Sequence, residues 1–382
     1  MKALLFVFLI LVIASHSLCA RIIPKADYEG STFDVSKYGA IGDGNTDDSE
    51  AFVKAWQDVC ASQDNATLII SKDKTFFLQP LKFQGPCKST TIKVELGGTI
   101  IAPKNIEDWK WTEDKVTGWI RFEDINGLIV NGGGQINGQG APWWKEYPDD
   151  ESKRPSGIKF IRCEGLTISN LTHSDSPKNH MSITSCKEVS ISNLKMIARE
   201  DSPNTDGIDI ANSTNVIIKD STITTGDDCV AINTGSSFIN VIGVLCGPGH
   251  GISIGSLGKN GEYAKVEDIY VKNCTFTKTS NGARIKTWEG GNGYAKNITY
   301  EDIEFIEVKN PIIIDQSYNP KIYDDVDKGV AVTDVTFRNL HGTSTKDPIQ
   351  LKCEPTISCI NIVLDNINIT RIDEEKNTYV VY

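Results

Sequence analysis

The sequence lacks a long apolar run after its N-terminus, and it lacks any excess of positive charge. No later stretch approaches the roughly 20 apolar residues that a membrane-spanning helix needs. Lysine and arginine total 39 against 50 aspartate and glutamate residues, which gives a net charge of −11. Without a broad basic stripe, this balance argues against nucleic-acid binding, and an anionic substrate would need a local basic cleft.

The one apolar run, residues 3–14, has the features of a secretory signal peptide. It follows Met1-Lys2, is too short to span a membrane, and is followed by small residues suited to cleavage. We therefore expect residues 1–20 to be a signal peptide and residues 21–32 a short N-terminal segment. Residues 33–382 are expected to form a single domain of a soluble, secreted protein.

The cysteines of the expected mature protein are odd in number, so they cannot all form disulfides with one another. Ten are present, and nine remain if Cys19 leaves with the signal peptide. An odd number in an oxidising compartment leaves at least one free thiol. Cys353 and Cys359 are close enough for a local disulfide, and Cys229 and Cys246 lie in consecutive turns of the repeat described below. Buried free thiols are the favoured interpretation for three others, Cys163, Cys186 and Cys274.

Six Asn-x-Ser/Thr sequons predict a glycoprotein, although each is weak evidence by itself because sequons are common by chance. They are at Asn65, Asn170, Asn212, Asn273, Asn297 and Asn368.

A helix is predicted ahead of the main repeat. Asp47 or Asp48 can cap it after a loop rich in turn residues, and it is expected to end near Cys60. Apolar residues at helical spacing give it one buried face, namely Ala51, Phe52, Ala55, Trp56 and Val59. A helix in this place would cover the open end of a repetitive sheet.

From about residue 120 the chain is a degenerate repeat of short alternating strands. One strand type ends in Asn or Asp: 165–170, 189–193, 216–220, 269–273, 298–302, 335–339 and 362–366. A second type recurs between them: 181–183, 208–210, 230–232, 252–254, 283–285 and 312–314. This period predicts an all-β fold, a parallel β-helix in which the strand-ending Asn and Asp side chains bond the next coil.

An antiparallel sandwich is the competing fold. It would require tight hairpin turns about every 8–12 residues. It also gives no reason for the same polar residue to recur at the same strand end, so the solenoid is the preferred prediction.

Acidic residues and a histidine recur at the length of one coil. Asp206 is followed twenty-two residues later by Asp228, which Asp227 precedes, and after another twenty-two residues by His250. Each is followed by the same apolar alternation. If each interval is one coil, these side chains stack at the ~4.8 Å spacing of neighbouring strands and share one patch.

Two cations are predicted on the outward face next to that patch. Arg284 and Lys286 alternate with inward residues and fall on the face of Asp209, Ala231 and Ser253. Arg and Lys together suit a carboxylated substrate. Any single Asp or His in a Gly-flanked turn is usually a turn residue, but turn chemistry does not require acids, imidazole and cations in one place. Crowded acids make at least one pKa rise, which allows acid–base hydrolysis of a glycosidic bond.

Four motifs in order resemble the signature of the polygalacturonases, glycoside hydrolase family 28, with a plant-like cysteine pattern. They are Asn204-Thr205-Asp206, Gly226-Asp227-Asp228, Gly249-His250-Gly251 and Arg284-Ile285-Lys286. The resemblance implies a right-handed β-helix that hydrolyses α-1,4 linkages between galacturonic acid units of pectin, with inversion and with no metal or cofactor. It also implies an extracellular, cell-wall location, and we expect a monomer that binds neither nucleic acid nor membrane.

The resemblance also implies a role for each site residue. Asp227 is expected to be the general acid, Asp206 and Asp228 to activate water, and His250 to support the acid. The substrate-binding residues are expected to be Arg284, Lys286, Tyr318 and Asn204. The family's disulfide pairing would join Cys60 to Cys87, Cys229 to Cys246 and Cys353 to Cys359.

Two other functions fit a β-helix with an anionic ligand. A pectate or rhamnogalacturonan lyase would hold Ca²⁺ on clustered aspartates and would release unsaturated products. A non-catalytic pectin-binding solenoid would keep its function without Asp227. Three tryptophans, Trp143, Trp144 and Trp288, could stack on sugars, but packing is the favoured interpretation for each. Endo and exo action are not distinguished by the motifs.

Overall fold

The computed structural model describes residues 30–111, 118–318, 328–357, 359–372 and 378–381. The predicted signal peptide and residues 21–29 of the predicted N-terminal segment lie outside the described residues. Within them the chain winds into a right-handed parallel β-helix, which confirms the predicted fold class. The first strand begins at Ser31, two residues before the predicted start of the domain.

One face of the β-helix is a ten-stranded parallel sheet, which carries the second strand type of the repeat. Its strands are Leu81–Gln84, Gly118–Glu123, Ser156–Ile161, Met181–Thr184, Ile208–Ala211, Val230–Ile232, Ile252–Leu257, Asn281–Thr287, Asn310–Asp315 and Ile349–Lys352.

The remaining faces form a twenty-two-stranded sheet. Two stacks of parallel strands join in it because the long strands near the C-terminus run through both. Its strands are Ser31–Asp34, Asp43–Asp47, Ala66–Ile70, Thr75–Phe77, Ile92–Leu96, Thr99–Ile101, Leu128–Asn131, Gln135–Asn137, Glu164–Ser169, Thr172–Ser174, Lys187–Ser192, Lys195–Ile197, Thr214–Lys219, Thr222–Thr224, Ser236–Ile242, Leu245–Cys246, Tyr263–Lys272, Thr275–Thr277, Asn292–Val308, Ala331–Ser344, Ile360–Arg371 and Thr378–Val381.

The core consists of apolar rows that run along the inside of the coils. The predicted inward positions of the ten-stranded sheet are in register and fully buried, as in the row Ile208, Val230, Ile252 and Ala283. Near the N-terminus, the rings of Phe83, Phe122 and Phe160 stack at 4.7 and 5.2 Å between centroids. Since every coil adds the same kind of residue at the same place, burial is continuous along the axis.

The helix Ser49–Ala61 caps the first coil, as predicted, and its five predicted apolar residues are all buried. Asp48 precedes it but does not cap it, because its carboxylate accepts the N–H groups of Ile41 and Gly42. Asp47 instead accepts the N–H of Ser49 at 3.1 Å. The other helical segments are Ala141–Glu146 and the 3-10 turns Val35–Tyr38, Ile106–Asp108, Glu151–Lys153 and Lys259–Gly261.

The predicted polar ladder forms at the C-terminal coils. The Asn339 amide donates to Asp302 at 2.9 Å, and the Asn366 amide donates to Asn339 at 3.0 Å. Asn339 and Asn366 adopt φ values of +54°, a conformation that Asn tolerates better than most residues do. In an earlier coil the Asn170 amide faces Ser169 at 3.5 Å, so the ladder does not extend through all the predicted positions.

All three disulfides implied by the resemblance are present, joining Cys60 to Cys87, Cys229 to Cys246, and Cys353 to Cys359. The other cysteines of the described segments are free and buried, as predicted: Cys163, Cys186 and Cys274. In those same segments no helix has both the length and the apolar character needed to cross a membrane.

Candidate active site

The coil interval brings the predicted site residues together at one end of the ten-stranded sheet. Asp206, Asp228 and His250 each lie two residues before a strand of that sheet. The strands that follow them pair in register through Ile208, Val230 and Ile252. The three residues therefore hold the same place in consecutive coils.

The histidine turn depends on a glycine that lies close to the next coil. Gly251 has a φ of +93°, and a Cβ there would lie 2.4 Å from the carbonyl oxygen of Asn281. The backbone N–H of Cys229 donates to the carbonyl of Gly251 at 2.8 Å. The backbone N–H of His250 donates to the backbone carbonyl of Asp227, also at 2.8 Å. These backbone bonds fix the imidazole next to the acid-bearing turn.

Asp227 is the centre of the first hydrogen-bonded group. Its Oδ1 lies 2.7 Å from His250 Nδ1, and its Oδ2 accepts from the Asn204 amide at 3.3 Å. Burial favours the neutral acid, but the hydrogen bond and charge of His250, with the charges of Lys286 and Arg284, hold the pKa of Asp227 below its ordinary value. Asp227 and His250 are therefore placed to exchange one proton.

Asp228 belongs to a second group, in which both its oxygens are occupied. Arg284 donates to Oδ1, and Lys286 Nζ lies 2.9 Å from Oδ2. The Ser253 hydroxyl donates to Oδ1 at 2.8 Å and accepts from Arg284 Nε at 2.7 Å. Burial opposes the charge of Lys286, yet the Asp228 carboxylate raises its pKa above the ordinary value, so the lysine stays charged.

Arg284 and Lys286 therefore lie on the outward face, as predicted. Both also form ion pairs with Asp228. Both are 7% exposed. The sequence interval predicts that Arg284 and Asp228 are close in space, but it does not predict that their side chains pair.

Tyr318 lies at the edge of the same cluster. Its side chain is 41% exposed, and Lys286 Nζ lies 5.1 Å from the centre of its ring. Its backbone N–H donates to the carbonyl of Thr287 at 3.1 Å, which fixes Tyr318 next to the strand that carries Arg284 and Lys286. In contrast, the three tryptophans considered for sugar stacking are buried, in agreement with the packing interpretation: Trp143, Trp144 and Trp288.

Asp206 belongs to neither group and faces Asp209. The sequence predicts the outward face for Asp209 but does not mark it as a site residue. Burial, followed by the charges of Asp209, Asp227 and Asp228, raises the pKa of Asp206 well above its ordinary value. Burial also raises the pKa of Asp209 to about 7, and its Oδ1 has no hydrogen-bond partner among the described residues. This pair therefore retains a proton at pH values where ordinary aspartates have lost theirs.

Arg154 is a second residue of the site that the sequence motifs do not predict. It is 2% exposed, and its guanidinium donates to the Asn204 carboxamide at 2.5 Å and to the carbonyls of Pro177 and Pro203. Asn204 thus connects Arg154 to Asp227. Arg154 comes from a loop with no periodic pattern, so no sequence signal pointed to it.

One set of residues has the spacing of a metal site. Ligand atoms of Asp227, Asp228 and His250 lie within 4.8 Å of one another. However, both oxygens of Asp228 are already bonded to Arg284 and Lys286, and a divalent cation would meet those two positive charges. The donor set does not fit a calcium ion, which is usually held by six to eight oxygens.

A cleft of about 300 Å³ opens next to His250. Its lining is largely polar and comprises Glu200, Gly226, Gly249, His250, Lys278, Thr279, Ser280, Glu307, Lys309 and Thr345. Aspartates whose pKa values are shifted in opposite directions, on a parallel β-helix with a cleft beside His250, are typical of an acid–base glycosidase.

Comparisons with known proteins identify the family. The model described as "Glycosyl hydrolases family 28" matches residues 60–381. A probable polygalacturonase from Arabidopsis thaliana is 48% identical over 344 residues, 89% of this chain and 74% of that protein. Polygalacturonase QRT2 from the same plant is 39% identical over 93% of this chain and 80% of its own length. An endo-xylogalacturonan hydrolase from Aspergillus tubingensis has a TM-score of 0.78 at 26% identity, covering 90% of this chain and 94% of its own.

The chain belongs to glycosyl hydrolase family 28 and is an enzyme that hydrolyses glycosidic bonds. The resemblance carried by the four sequence motifs is thereby confirmed.

Proposed function

We propose that this enzyme is a secreted polygalacturonase that hydrolyses α-1,4-galacturonosyl linkages in the homogalacturonan of pectin, with inversion. The observation that carries the proposal is a pair of bonded groups at one end of the ten-stranded sheet: Asp227 contacts His250, and Asp228 contacts Arg284 and Lys286. The chain is 48% and 39% identical to two plant polygalacturonases, and this similarity supports the choice of substrate.

Asp227 acts as the general acid in this proposal. Its Oδ1 lies 2.7 Å from His250 Nδ1, so a proton can pass between the two groups. Burial raises the pKa of Asp227, but His250 and the nearby cations hold it below its ordinary value. Asp227 therefore gives its proton readily to the leaving oxygen as the glycosidic bond breaks. Asn204, which Arg154 holds, fixes the other oxygen of Asp227.

Asp228 and Asp206 activate the attacking water. Asp228 is held in place by two cations and a hydroxyl, and these contacts fix its oxygens. Asp206 lies one coil earlier. Because Asp206 and Asp209 retain a proton in the free enzyme, Asp206 orients the water, and Asp228 accepts the proton that the water loses as it attacks. Water attack from the side opposite the leaving group inverts the anomeric centre.

Arg284, Lys286 and Tyr318 bind the substrate in this proposal. The carboxylate of a galacturonate unit would exchange with or share the contacts that Arg284 and Lys286 make to Asp228, since a guanidinium has five N–H donors. The ring of Tyr318 is exposed beside Lys286 and offers a face for the sugar.

Export to the cell wall and a monomeric state are further parts of the proposal. The apolar residues 3–14 and the three disulfides support an oxidising, extracellular location. N-terminal sequencing of protein collected from the medium of a plant expression host would test it. Sequencing should begin close to residue 21, and retention inside the cell would contradict export.

The deciding experiment is analysis of the products released from de-esterified polygalacturonate. The proposal predicts saturated oligogalacturonides with new reducing ends, and proton NMR in the first minutes should show the β anomer. Unsaturated products, or activity that a chelator abolishes, would support the lyase instead. Binding without turnover would support the non-catalytic solenoid. Early release of monomer alone would indicate exo attack, and mixed oligomers would indicate endo attack.

A further inference from the structure

Three cations occupy one row of the ten-stranded sheet, on the N-terminal side of the active site. Lys82 pairs with Arg121, and Arg121 pairs with Lys159. Ser182 and then Asp209 continue the same row on the next two strands. Register partners in a parallel sheet project to the same face. This cation row, Lys82, Arg121 and Lys159, therefore lies on the face that bears the active site.

The cation row is close enough to the active site to contact the same polymer. At ~4.8 Å per strand, Lys159 lies about 10 Å from Asp209 along the row and Arg121 about 14 Å. The residue between Lys159 and Asp209 in the row is the small Ser182, whose hydroxyl accepts the Asn179 amide at 2.6 Å. No bulky side chain of the row separates the two positions.

The acids near the cation row already contact cations. The pairs are Glu123 with Arg121 at 3.6 Å, Asp124 with Arg162 at 2.6 Å, and Glu151 with Lys178 at 3.2 Å. Among the described residues these pairs leave Lys82 and Lys159 of the cation row without an ion pair, in a chain whose net charge is −11.

Lys159 is the less exposed of these two lysines. It is half-buried, and among the described residues it forms no ion pair or hydrogen bond. Burial, Lys178 and Arg121 lower its pKa, whereas Asp209 and Glu123 raise it. Holding a lysine close to two other cations without a direct partner costs free energy, and an anionic ligand would remove that cost.

We propose that Lys159, backed by Arg121, is a remote subsite that binds the carboxylate of a further galacturonate unit, two strands away from Asp209. The inference rests on the proposed function, because it assigns more of the same substrate to this sheet. Lys supplies a point charge and Arg a planar fork, the combination also found at Lys286 and Arg284. Such a subsite makes long, de-esterified chains better substrates than short ones.

The test is the chain-length dependence of the Lys159→Gln variant. We expect KM for long de-esterified oligogalacturonides to rise about tenfold, the order of one lost charge-assisted contact. The shortest galacturonide that the enzyme cleaves should keep its kcat/KM within about twofold. Lys159→Arg should restore most of the long-chain KM. Lys195→Gln removes an exposed lysine from the twenty-two-stranded sheet and should change neither value.

Two results would overturn the inference. One is an unchanged KM of the Lys159→Gln variant for long chains. The other is an equal loss of kcat/KM for long and short chains, which would place Lys159 in the cleavage site itself.

A binding titration separates this inference from the proposed function. In an Asp227→Asn background, Lys159→Gln should weaken binding of long de-esterified chains but not of their methyl-esterified counterparts. If the unmodified enzyme binds these chains in a Lys159-dependent way yet does not cleave them, the proposed function fails and the subsite stands.

Discussion

At the scale of single residues, neighbouring groups give four similar aspartates different states. Asp227 is paired with an imidazole, Asp228 is neutralised by two cations, and Asp206 and Asp209 face each other with too little solvent to ionise both. A single site thus contains a proton donor pair, a fixed carboxylate and a proton-retaining pair. This difference is what acid–base hydrolysis requires.

Replacing the proposed general acid should remove turnover and leave the fold intact. We expect Asp227→Asn to lower kcat on polygalacturonate by about 10²–10⁴-fold, because the amide cannot donate the proton that the leaving oxygen needs. Asp201→Asn is the matched control, since its side chain is 69% exposed and pairs only with Arg199 among the described residues. A variant that keeps more than about a tenth of the kcat would contradict the assigned role.

The pH dependence of kcat should also report the proton of the general acid. Asp227 is a donor only while it is protonated, and its pKa lies below its ordinary value. Activity should therefore decline as pH rises through the acidic range, which gives an optimum on the acidic side. A pH–rate profile between about pH 4 and pH 8 measures this. A flat profile through the acidic half of that range would be inconsistent with the mechanism.

Asp209 should make the protein less stable as pH rises. Its pKa is about 7 in the folded protein, above the unfolded value. Between the unfolded and folded pKa values the folded state therefore holds the proton that the unfolded state has lost. Stability falls with pH across that window, from about pH 4 to about pH 7. Asp209→Asn should flatten the decline in Tm over this range, and an unchanged slope would mean that the group ionises freely.

At the scale of secondary-structure elements, the site depends on turns held between neighbouring strands. Asp228 is followed at once by Cys229, whose disulfide to Cys246 encloses the turn between two coils. The bond is buried at both ends. Its removal should therefore affect the position of the acid as well as the stability of the chain.

We expect the double variant Cys229→Ala/Cys246→Ala to lose roughly 3 kcal/mol of stability and much of its kcat. Removing Cys353 and Cys359 is the matched control: that disulfide closes a shorter loop and should cost roughly 2 kcal/mol with kcat retained. Urea unfolding and turnover measured on both variants decide the matter. Equal kcat values in the two would show that the buried disulfide does not position Asp228.

Much of this arrangement could be predicted from sequence, because the chain carries two periods at once: the two-residue alternation along each strand and the interval of one coil. The alternation of inward and outward residues placed Ile208 inside and Arg284 outside, and the coil interval placed Asp206, Asp228 and His250 in one patch. The interval did not reveal which side chains pair, because pairing depends on side-chain reach and rotamer. Arg154 was missed because an aperiodic loop carries it.

At the scale of the whole molecule, the helix Ser49–Ala61 covers the N-terminal end of the solenoid by packing on the first coil. At the other end, the last strand of the described residues, Thr378–Val381, runs antiparallel to its neighbour and interrupts the parallel stacking. A covered end offers no regular row of unpaired N–H and C=O groups to another copy. We therefore expect a monomer, which light scattering would detect as the mass of one chain.

Weakening the helical cap should uncover that end. Trp56 is 4% exposed and lies 5.0 Å from the Phe83 ring between centroids. Trp56→Ala should cost about 3–5 kcal/mol and produce concentration-dependent association in light scattering. Gln57→Ala, an exposed neighbour on the same helix, should do neither. Association of the unmodified protein, or identical behaviour of the two variants, would contradict this account.

The distribution of the site over consecutive coils has a consequence for synthesis. Asp206 and Lys286 are separated by eighty residues, and every coil between them adds a group to the centre. A nascent chain that ends before Arg284 contains the aspartates without the two cations that neutralise Asp228. Hydrolytic competence can therefore arise only when about three quarters of the polypeptide has left the ribosome and its coils have stacked, so incomplete translation products should be inert towards polysaccharide.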